Sequence, residues 1–229
     1  MKLTNEFIEV LRNFSSINSN IVFEVDKPVR VISEAKNILA SGPMPDFSYE
    51  KDFGIYDLQE FLSAVSLFDS PSFEFDEEYN YVKIVEDKKS IKYFFSNPEY
   101  LTYPTKDIKM PSCDVSFTLR DKDINDLKKA ASVLSVSEFV VEKQGEEVKA
   151  YVTDIKDKTS NSFVIELNHF KCEEDVPFTF VANISDLKLL SGDYDVEYSS
   201  KYISRFVGKT NGVEYFIGLD NKESNYGNN

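Results

Sequence analysis

The sequence predicts an α+β protein of two similar domains, in which helical patterns alternate with groups of strands. Three observations support this fold class. An amphipathic helical pattern occurs four times along the 229 residues, runs of alternating apolar residues follow each occurrence, and a proline-rich segment lies near the middle of the chain. A chain of this length is also sufficient for two domains of about 110 residues each.

The first half contains two predicted helices, over residues 5–14 and 57–67. Their inward-facing residues recur three or four positions apart: Phe7, Val10, Leu11 and Phe14 in the first helix, and Leu58, Phe61, Leu62 and Val65 in the second. The segments with strand-like composition are 21–25, 30–35, 72–76, 81–87 and 90–95. The order is therefore helix, strands, helix, strands.

The second half repeats this order. Its predicted helices cover residues 122–134 and 185–190, and the longer one places Ile124, Leu127, Ala131 and Leu134 on one face. The predicted strands are 115–119, 138–143, 148–155, 163–167, 177–182, 194–199, 202–207 and 213–219. Hairpin turns are predicted at Gln144-Gly145 and at Asn211-Gly212, of which the second is the stronger signal.

The segment between the halves is predicted to be an extended connector. Pro98, Pro104 and Pro111 occur within it, and proline at this density disfavours both helices and central strands. We therefore expect a first domain over 1–95, a connector over 96–112 and a second domain over 113–220. Residues 221–229 are expected to form a flexible tail.

The spacing of the helices indicates a fourfold repeat. Measured between Phe7, Leu58, Leu127 and Leu187, the two helices of each half are 51 and 60 residues apart, and corresponding helices of the two halves are 120 and 129 apart. Amphipathic helices are common, so a chance similarity is the alternative explanation. The comparable spacing in both halves favours a true repeat.

Charge and composition restrict the possible partners. The net charge is −14, and each half carries −7, with 12 basic and 19 acidic residues up to residue 112 and 14 and 21 after it. The surface as a whole therefore repels nucleic acid and acidic membranes, and neither half is basic. Two cysteines are too few for a disulfide framework, and neither a signal peptide nor a membrane-spanning run is apparent, so we expect a soluble intracellular protein.

With this organisation in view, the chain resembles the sliding clamps, the ring-shaped processivity factors of replicative DNA polymerases, and most closely those of T-even-type phages. The opening MKLTNEFIEVLRNFSSINSNI, the helix IYDLQEFLSAVSLF, the stretch SGDYDVEYSS and the hairpin FVGKTNGVEYFIGL carry the resemblance. It covers most of the chain without a large gap. The family fold has two helices on two antiparallel sheets in each domain, and six such domains close a ring whose helices line the hole.

The resemblance implies how the protein functions. Two domains per chain require a closed homotrimer, which encircles duplex DNA irrespective of sequence and tethers the replicative DNA polymerase. An ATP-dependent clamp loader would open and close the ring. The implied location is the cytoplasm of an infected bacterial host, with no membrane partner and no cofactor.

Charges on the predicted helices agree with a DNA-facing surface. Lys122 and Lys129 lie opposite the apolar face of their helix, and Lys188 points away from Leu187 and Leu190. On the first helix, Lys2 and Arg12 are opposite the apolar residues. The helix over 57–67 has no basic residue. A basic residue on a solvated helix face is common, but together the five predict a lining that attracts phosphates weakly enough to permit sliding.

The resemblance to sliding clamps also implies two interaction surfaces. The subunit interface would join the strand 90–95 of one chain to the strand 162–167 of the next, with Tyr93, Phe94, Phe163 and Ile165 as apolar contacts. A partner-peptide pocket is expected beside the connector, whose apolar residues are Tyr100, Leu101, Tyr103, Ile108 and Met110. Simple packing of these residues into the core is the alternative in both cases.

The sequence gives little support for catalysis or for a metal site. Asp121-Lys-Asp123-Ile-Asn125 imitates the start of a calcium loop, but Asp126 occupies the glycine position and Ser132 the position of the bidentate Glu. Gly208-Lys209-Thr210 resembles the end of a phosphate loop, but Ile203 replaces the first glycine. We therefore predict a non-enzymatic protein without metal; the alternatives are a structural or adhesive β-rich virion protein and an acidic enzyme of unrecognised type.

Overall fold

The structure, a computed structural model, describes residues 3–45 and 48–227. The chain forms two compact units, Met1–Asp107 and Ile108–Asn229, and the division falls within the predicted connector. Each unit buries its own set of apolar side chains.

The first unit has two α-helices and seven strands among its described residues. They are α1 (Asn5–Ser15), β1 (Ile21–Phe23), β2 (Arg30–Ile32), β3 (Ile38–Ser41), β4 (Phe53–Ile55), α2 (Leu58–Val65), β5 (Ser72–Phe75), β6 (Tyr81–Glu86) and β7 (Lys89–Phe94). All pairings are antiparallel: one set of strands runs in the order β3-β2-β1-β4, and the other in the order β5-β6-β7. Both predicted helices are confirmed.

The helices of the first unit are amphipathic and contact each other. The predicted inward residues of both are buried, and Leu11, Phe14 and Leu58 have no exposed surface. The burial of one such side chain stabilises the fold by about 1.5–3 kcal/mol. Capping side chains fix both helix starts, because Thr4 accepts a hydrogen bond from the backbone N–H of Phe7 and Asp57 accepts one from Glu60.

The second unit has one α-helix and ten strands within residues 108–227. They are β8 (Val115–Leu119), α3 (Asp121–Leu134), β9 (Glu138–Gln144), β10 (Glu147–Thr153), β11 (Phe163–Glu166), β12 (Phe170–Lys171), β13 (Phe178–Asn183), β14 (Tyr194–Ser199), β15 (Ile203–Gly208), β16 (Glu214–Gly218) and β17 (Asn225–Tyr226). The strands form two antiparallel sets, in the orders β12-β8-β14-β15-β16 and β11-β10-β9-β13-β17. The α+β class and both predicted hairpins, β9–β10 and β15–β16, are confirmed.

The helix predicted over 185–190 is not present, and the prediction was wrong there. Residues Ile184–Asp186 form only a single 3₁₀ turn. After the turn, Leu187 and Leu189 are both buried, a spacing of two that is typical of extended chain and not of a helix.

Tyrosines of the neighbouring strands explain why the helix does not continue. The backbone N–H of Leu190 donates to the hydroxyl of Tyr215 at 3.0 Å, and the carbonyl of Leu190 accepts from the hydroxyl of Tyr194 at 2.6 Å. These bonds satisfy backbone groups that a helix would otherwise pair internally. Gly192 follows with φ 144°, a conformation that does not occur in helices.

Residues 221–227, the described part of the segment expected to form a flexible tail, contain a short strand. Residues Asn225–Tyr226 form β17, which pairs with β13. The hydroxyl of the buried Ser224 accepts a hydrogen bond from the backbone N–H of Val181 at 2.9 Å. The strands β3, β4 and β12 were likewise not predicted, because runs of two to four residues give no readable alternation.

Candidate nucleic-acid and subunit interfaces

The basic residues predicted to face DNA lie on helix surfaces where the structure describes them. Lys122 and Lys129 are exposed on α3, on the side opposite Ile124 and Leu127. Because both side chains are exposed, they can meet a phosphate without a change of fold.

The other three predicted residues differ from this pair. Arg12 is exposed on α1, but its guanidinium donates to the carboxylate of Glu9 at 3.1 Å. Such a surface ion pair is weak, yet it reduces the local positive charge. Lys188 is half-buried beside the 3₁₀ turn, and Lys2 lies outside the described residues.

A basic residue that the sequence interpretation missed is Lys128. Its side chain is half-buried along α3, and this burial lowers the pKa of Lys128, whereas the nearby carboxylate of Asp121 acts in the opposite direction. Removal of an ammonium group from water disfavours its charged form, so a neighbouring anion would stabilise it. The sequence did indicate a second lysine here, because Lys128 adjoins Lys129. A helical wheel, however, places Lys128 at the border of the apolar face.

The two strands predicted to meet between subunits are both at sheet edges. Within the described chain β7 pairs only with β6, and β11 pairs only with β10. The outer sides of both strands therefore carry backbone N–H and C=O groups available to another strand. Edge position is the geometry that a sheet continued across two chains requires.

The predicted interface residues are not equivalent. Phe94 and Phe163 are exposed, at 64% and 37%, and Ile165 is half-buried. Tyr93 points to the other face of β7: its hydroxyl donates to the carbonyl of Asp57, and burial raises the pKa of Tyr93 to about 12. Tyr93 is therefore anchored at the start of α2 in the same chain. Val164, which is 46% exposed on β11, was not predicted.

A lysine stabilises the exposed aromatic surface of β7. The ammonium of Lys92 lies 3.7 Å from the ring centroid of Tyr81 and 4.8 Å from that of Phe94. Cation–π contacts of this kind contribute about 0.5–1 kcal/mol at exposed sites. They orient the Phe94 ring on a face that is otherwise open to solvent.

The connector is held against the first unit up to residue 107. The side chain of Leu101 fills the space that a Cβ at Gly54 would occupy, which explains the glycine there. The backbone N–H of Thr102 donates to the Asn20 side chain at 3.1 Å, and the Arg30 guanidinium contacts Asp107 at 2.8 Å. The connector is thus fixed by packing and by hydrogen bonds.

The five residues predicted for a partner pocket have different surroundings. Tyr100 is 85% exposed, and Ile108 is 40% exposed. The half-buried ones are Leu101, Tyr103 and Met110. Tyr100, Leu101 and Tyr103 belong to the first unit, and Ile108 and Met110 to the second. Tyr100 is consequently the largest apolar group of the connector that a partner could cover.

The motifs that imitate ligand sites have structural roles. Asp121 starts α3, where its carboxylate accepts from Gly192 and from the side chain of Asn125. Gly208 ends β15, and Lys209 donates to Asp195. Across residues 3–45 and 48–227, no cluster of three or more His, Cys, Asp or Glu side chains has the arrangement of a metal site. None of the described helices is long and apolar enough to cross a membrane.

Comparison with known proteins gives a consistent result. No family model matches the chain. Curated relatives match over nearly all of it: the sliding clamp of Vibrio phage KVP40 is 28% identical over 96% of this chain and 99% of its own length, and that of Escherichia phage RB69 is 24% identical over 96% and 97%. The sliding clamp of Enterobacteria phage T4 is 23% identical over 85% of each chain.

Solved structures share the fold at lower sequence identity. A. fulgidus PCNA, in a complex with the C-terminal region of FEN-1, has a TM-score of 0.71 and 14% identity, covering 96% of this chain and 97% of that one. PCNA from Thermococcus kodakaraensis has a TM-score of 0.71 and 14% identity, covering 96% and 99%. The Helicobacter pylori beta clamp bound to a DNA ligase peptide has a TM-score of 0.64 and 15% identity, covering 96% of this chain and 66% of that one. The resemblance to the T-even-type phage sliding clamps is thus confirmed along almost the whole chain, and its α+β architecture is the sliding-clamp fold.

Proposed function

We propose that this protein is a DNA sliding clamp, a ring of three chains that encircles duplex DNA and tethers the replicative DNA polymerase without catalysis. The observation that carries the proposal is similarity to phage sliding clamps over 96% of the chain, together with the same fold in PCNA. Encirclement holds the protein on DNA by topology, so sliding needs no strong or sequence-specific contact.

The edge strands β7 and β11 support the closure of such a ring. Because the two edges are different, pairing β7 of one chain with β11 of the next is a head-to-tail contact, which generates a ring when the rotation closes. Pairing would also cover Phe94, Phe163 and Val164, which are exposed in the single chain. An exposed apolar edge is otherwise prone to aggregation.

The exposed basic side chains of the helices support attraction to the DNA backbone. Lys122 and Lys129 on α3 and Arg12 on α1 face solvent in a chain of net charge −14. A few exposed cations give a weak, salt-dependent and sequence-independent interaction with phosphates. We assign Lys2 and Lys188 to the same surface. The acidic remainder opposes non-specific binding of DNA elsewhere on the protein.

Partners are proposed to bind at the connector. PCNA and the beta clamp, which share the fold, occur in complexes with FEN-1 and with a ligase peptide. By analogy, peptides of the polymerase and of an ATP-dependent clamp loader would cover the exposed Tyr100 and Ile108 and contact Leu101, Tyr103 and Met110. The proposed place of action is the cytoplasm of an infected bacterial host.

A retention experiment tests the proposed function. The protein, loaded by its cognate loader onto nicked circular DNA, should remain bound through gel filtration in high salt and be released when the circle is linearised. Electrophoretic or scattering measurements of mass should give about three times 26.3 kDa, and negative-stain electron microscopy should show a ring. A stable monomer that leaves circular and linear DNA equally fast contradicts the proposal and favours a structural virion protein.

A further inference from the structure

The arginine that holds the end of the connector is a buried one. Arg30, the first residue of β2, is 8% exposed, and its guanidinium donates to two carboxylates, that of Glu24 at 2.7 Å and that of Asp107 at 2.8 Å. Its remaining nitrogen, Nε, is buried as well and has no hydrogen-bond partner among the described residues. A buried donor without an acceptor is costly, so this side chain favours a further oxygen atom.

The two carboxylates are held very differently. The side chain of Glu24 is mostly buried and also accepts a hydrogen bond from the ammonium of Lys27 at 2.7 Å. Burial raises the pKa of Glu24, but the hydrogen bonds from Lys27 and Arg30 lower it, and the net direction is downward, so Glu24 stays ionised at neutral pH. The side chain of Asp107, by contrast, is 85% exposed. Glu24 is therefore a fixed counter-ion of Arg30, whereas water and other anions can compete with Asp107.

The chain next to Asp107 has no other polar contact. From Tyr103 to Asp107, a stretch that the structure describes throughout, the bond to Arg30 is the only hydrogen bond or ion pair. Asp107 can therefore leave the guanidinium without breaking a second bond. Its departure would leave one carboxylate, that of Glu24, against the two cations Lys27 and Arg30, which is a local positive charge in a chain of net charge −14.

We propose that Arg30 is a binding site for a carboxylate group of a partner peptide, and that Asp107 occupies this site as an internal competitor in the free protein. This inference rests on the proposed function, in which partners bind at the connector. A guanidinium binds a carboxylate through two parallel hydrogen bonds, and the contact with Asp107 shows that a carboxylate fits beside Nη1. An incoming carboxylate brings a second oxygen for the unpaired Nε, an acceptor that Asp107 does not supply.

A peptide carboxylate suits this position better than a phosphate group does. A phosphate carries up to two charges, and the ionised Glu24 on the other side of the guanidinium repels it more strongly than it repels a single carboxylate, above all where water is excluded. The same connector exposes Tyr100, which offers apolar contact. A peptide that combines an apolar anchor with a carboxylate therefore matches both features of the connector.

The experiment titrates the full-length, isotope-labelled protein with the C-terminal peptide of the cognate polymerase. NMR follows the Nε–H signal of Arg30 and the backbone amide of Asp107, and both should shift as a peptide carboxylate replaces Asp107. The same peptide with all carboxyl groups converted to amides should bind about tenfold more weakly and leave the Nε–H signal in place. Two further peptides, amidated only at the C-terminus or only at the side chains, show which carboxylate is bound.

Variants separate competition by Asp107 from a general effect of charge. Asp107→Asn should tighten the binding of the unmodified peptide several-fold, because no internal carboxylate has to be displaced, and should leave the binding of the fully amidated peptide unchanged. Glu99→Gln is the matched control, since it removes the same charge at an exposed position of the same connector that does not contact Arg30. Arg30→Gln should abolish the difference between the two peptides, and Arg30→Lys, which keeps the positive charge, should restore part of it.

Three results would overturn the proposal: an Arg30 Nε–H signal that the unmodified peptide leaves unchanged, an equal gain of affinity in Asp107→Asn and Glu99→Gln, or a shift by inorganic phosphate at the same ionic strength as large as that by the peptide. Because Asp107 is exposed, its variant decides the question even where Arg30→Gln does not fold. A wild-type ring retained on circular DNA with a silent Arg30 overturns the carboxylate site alone. Equal release from circular and linear DNA with a responsive Arg30 overturns the clamp function and leaves the carboxylate site.

Discussion

The two units differ in their helix layers: among the described residues the first has two α-helices, whereas the second has one α-helix and a 3₁₀ turn. In the first, α1 and α2 pack together, and α2 buries Leu58 completely. In the second, tyrosine hydroxyls hold the segment after Ile184–Asp186 in extended form. A sheet pair thus tolerates replacement of a helix by a turn when side chains from neighbouring strands satisfy the backbone groups that the helix would have paired.

The units also differ in the charge on their helices. The exposed side chains of α2 include Gln59, Glu60 and Ser63, and α2 has no basic residue. The basic residue of α1, Arg12, is paired with Glu9. Helix α3 exposes Lys122 and Lys129, and Lys128 beside them is half-buried. If these helices face DNA as proposed, we expect the second unit to supply most of the attraction, while the first unit has the helix pair.

The largest expected effect is on the proposed assembly, to which each unit would contribute one edge strand. Phe163→Asp places a carboxylate on the edge strand β11 and should convert the trimer into soluble monomers, because burial of an unpaired charge is strongly unfavourable. Analytical ultracentrifugation would measure the change. Leu67→Asp is the control, since Leu67 is 66% exposed and lies outside both edges. A trimer that survives Phe163→Asp would place the interface elsewhere.

The next effect concerns the stability of the two helix layers. Leu58→Ala in α2 should lower the free energy of unfolding by about 2–5 kcal/mol, because the fully buried side chain leaves a cavity. Leu190→Ala, in the segment that replaces the second helix, should cost only about 1 kcal/mol, since Leu190 is half-exposed. Urea titrations followed by far-UV circular dichroism would compare the two. Equal losses would show that the turn region packs as tightly as α2.

Sequence pattern was sufficient for the three α-helices and for most strands. Helices α1 and α3 and the hairpin β15–β16 follow from apolar spacing and from Asn211-Gly212, which are local signals. The segment 185–190 was misread because its leucines fit a helix, while its conformation is set by Tyr194 and Tyr215 on later strands. The contact with Tyr215, which lies 25 residues after Leu190, is not visible in a local pattern.

Less of the candidate sites than of the fold could be predicted from the sequence. The exposed lysines of α3 and the edge strands could be anticipated from helix faces and from the resemblance. The anchoring of Tyr93 on α2 and the recessed position of Lys128 could not, because both depend on which segments pack alongside. The assignment of these residues to DNA or to a subunit interface stays a prediction.

A smaller effect is expected from reversing charges on the helices. Changing Arg12, Lys122 and Lys129 together to Glu should weaken loading and polymerase support without unfolding, and salt should diminish the difference. Lys122→Glu/Lys129→Glu alone should account for most of the effect, because Glu9 already pairs Arg12. Processive synthesis on primed circles at several salt concentrations would measure it. Unchanged synthesis at low salt in the triple variant would mean that these side chains do not line the channel.

The smallest effect tests why the second unit lacks its helix. Tyr215→Phe removes the hydroxyl that accepts the hydrogen bond from Leu190 and leaves that part-buried N–H without this acceptor, which should cost about 1 kcal/mol. Hydrogen exchange at the amide of Leu190 should accelerate, while the amides of α2 keep their rates. Tyr56→Phe is the matched control, because Tyr56 is 69% exposed and precedes α2. If exchange at Leu190 stays slow in Tyr215→Phe, the tyrosine does not hold the segment in place, and packing of Leu187 and Leu189 alone excludes the helix.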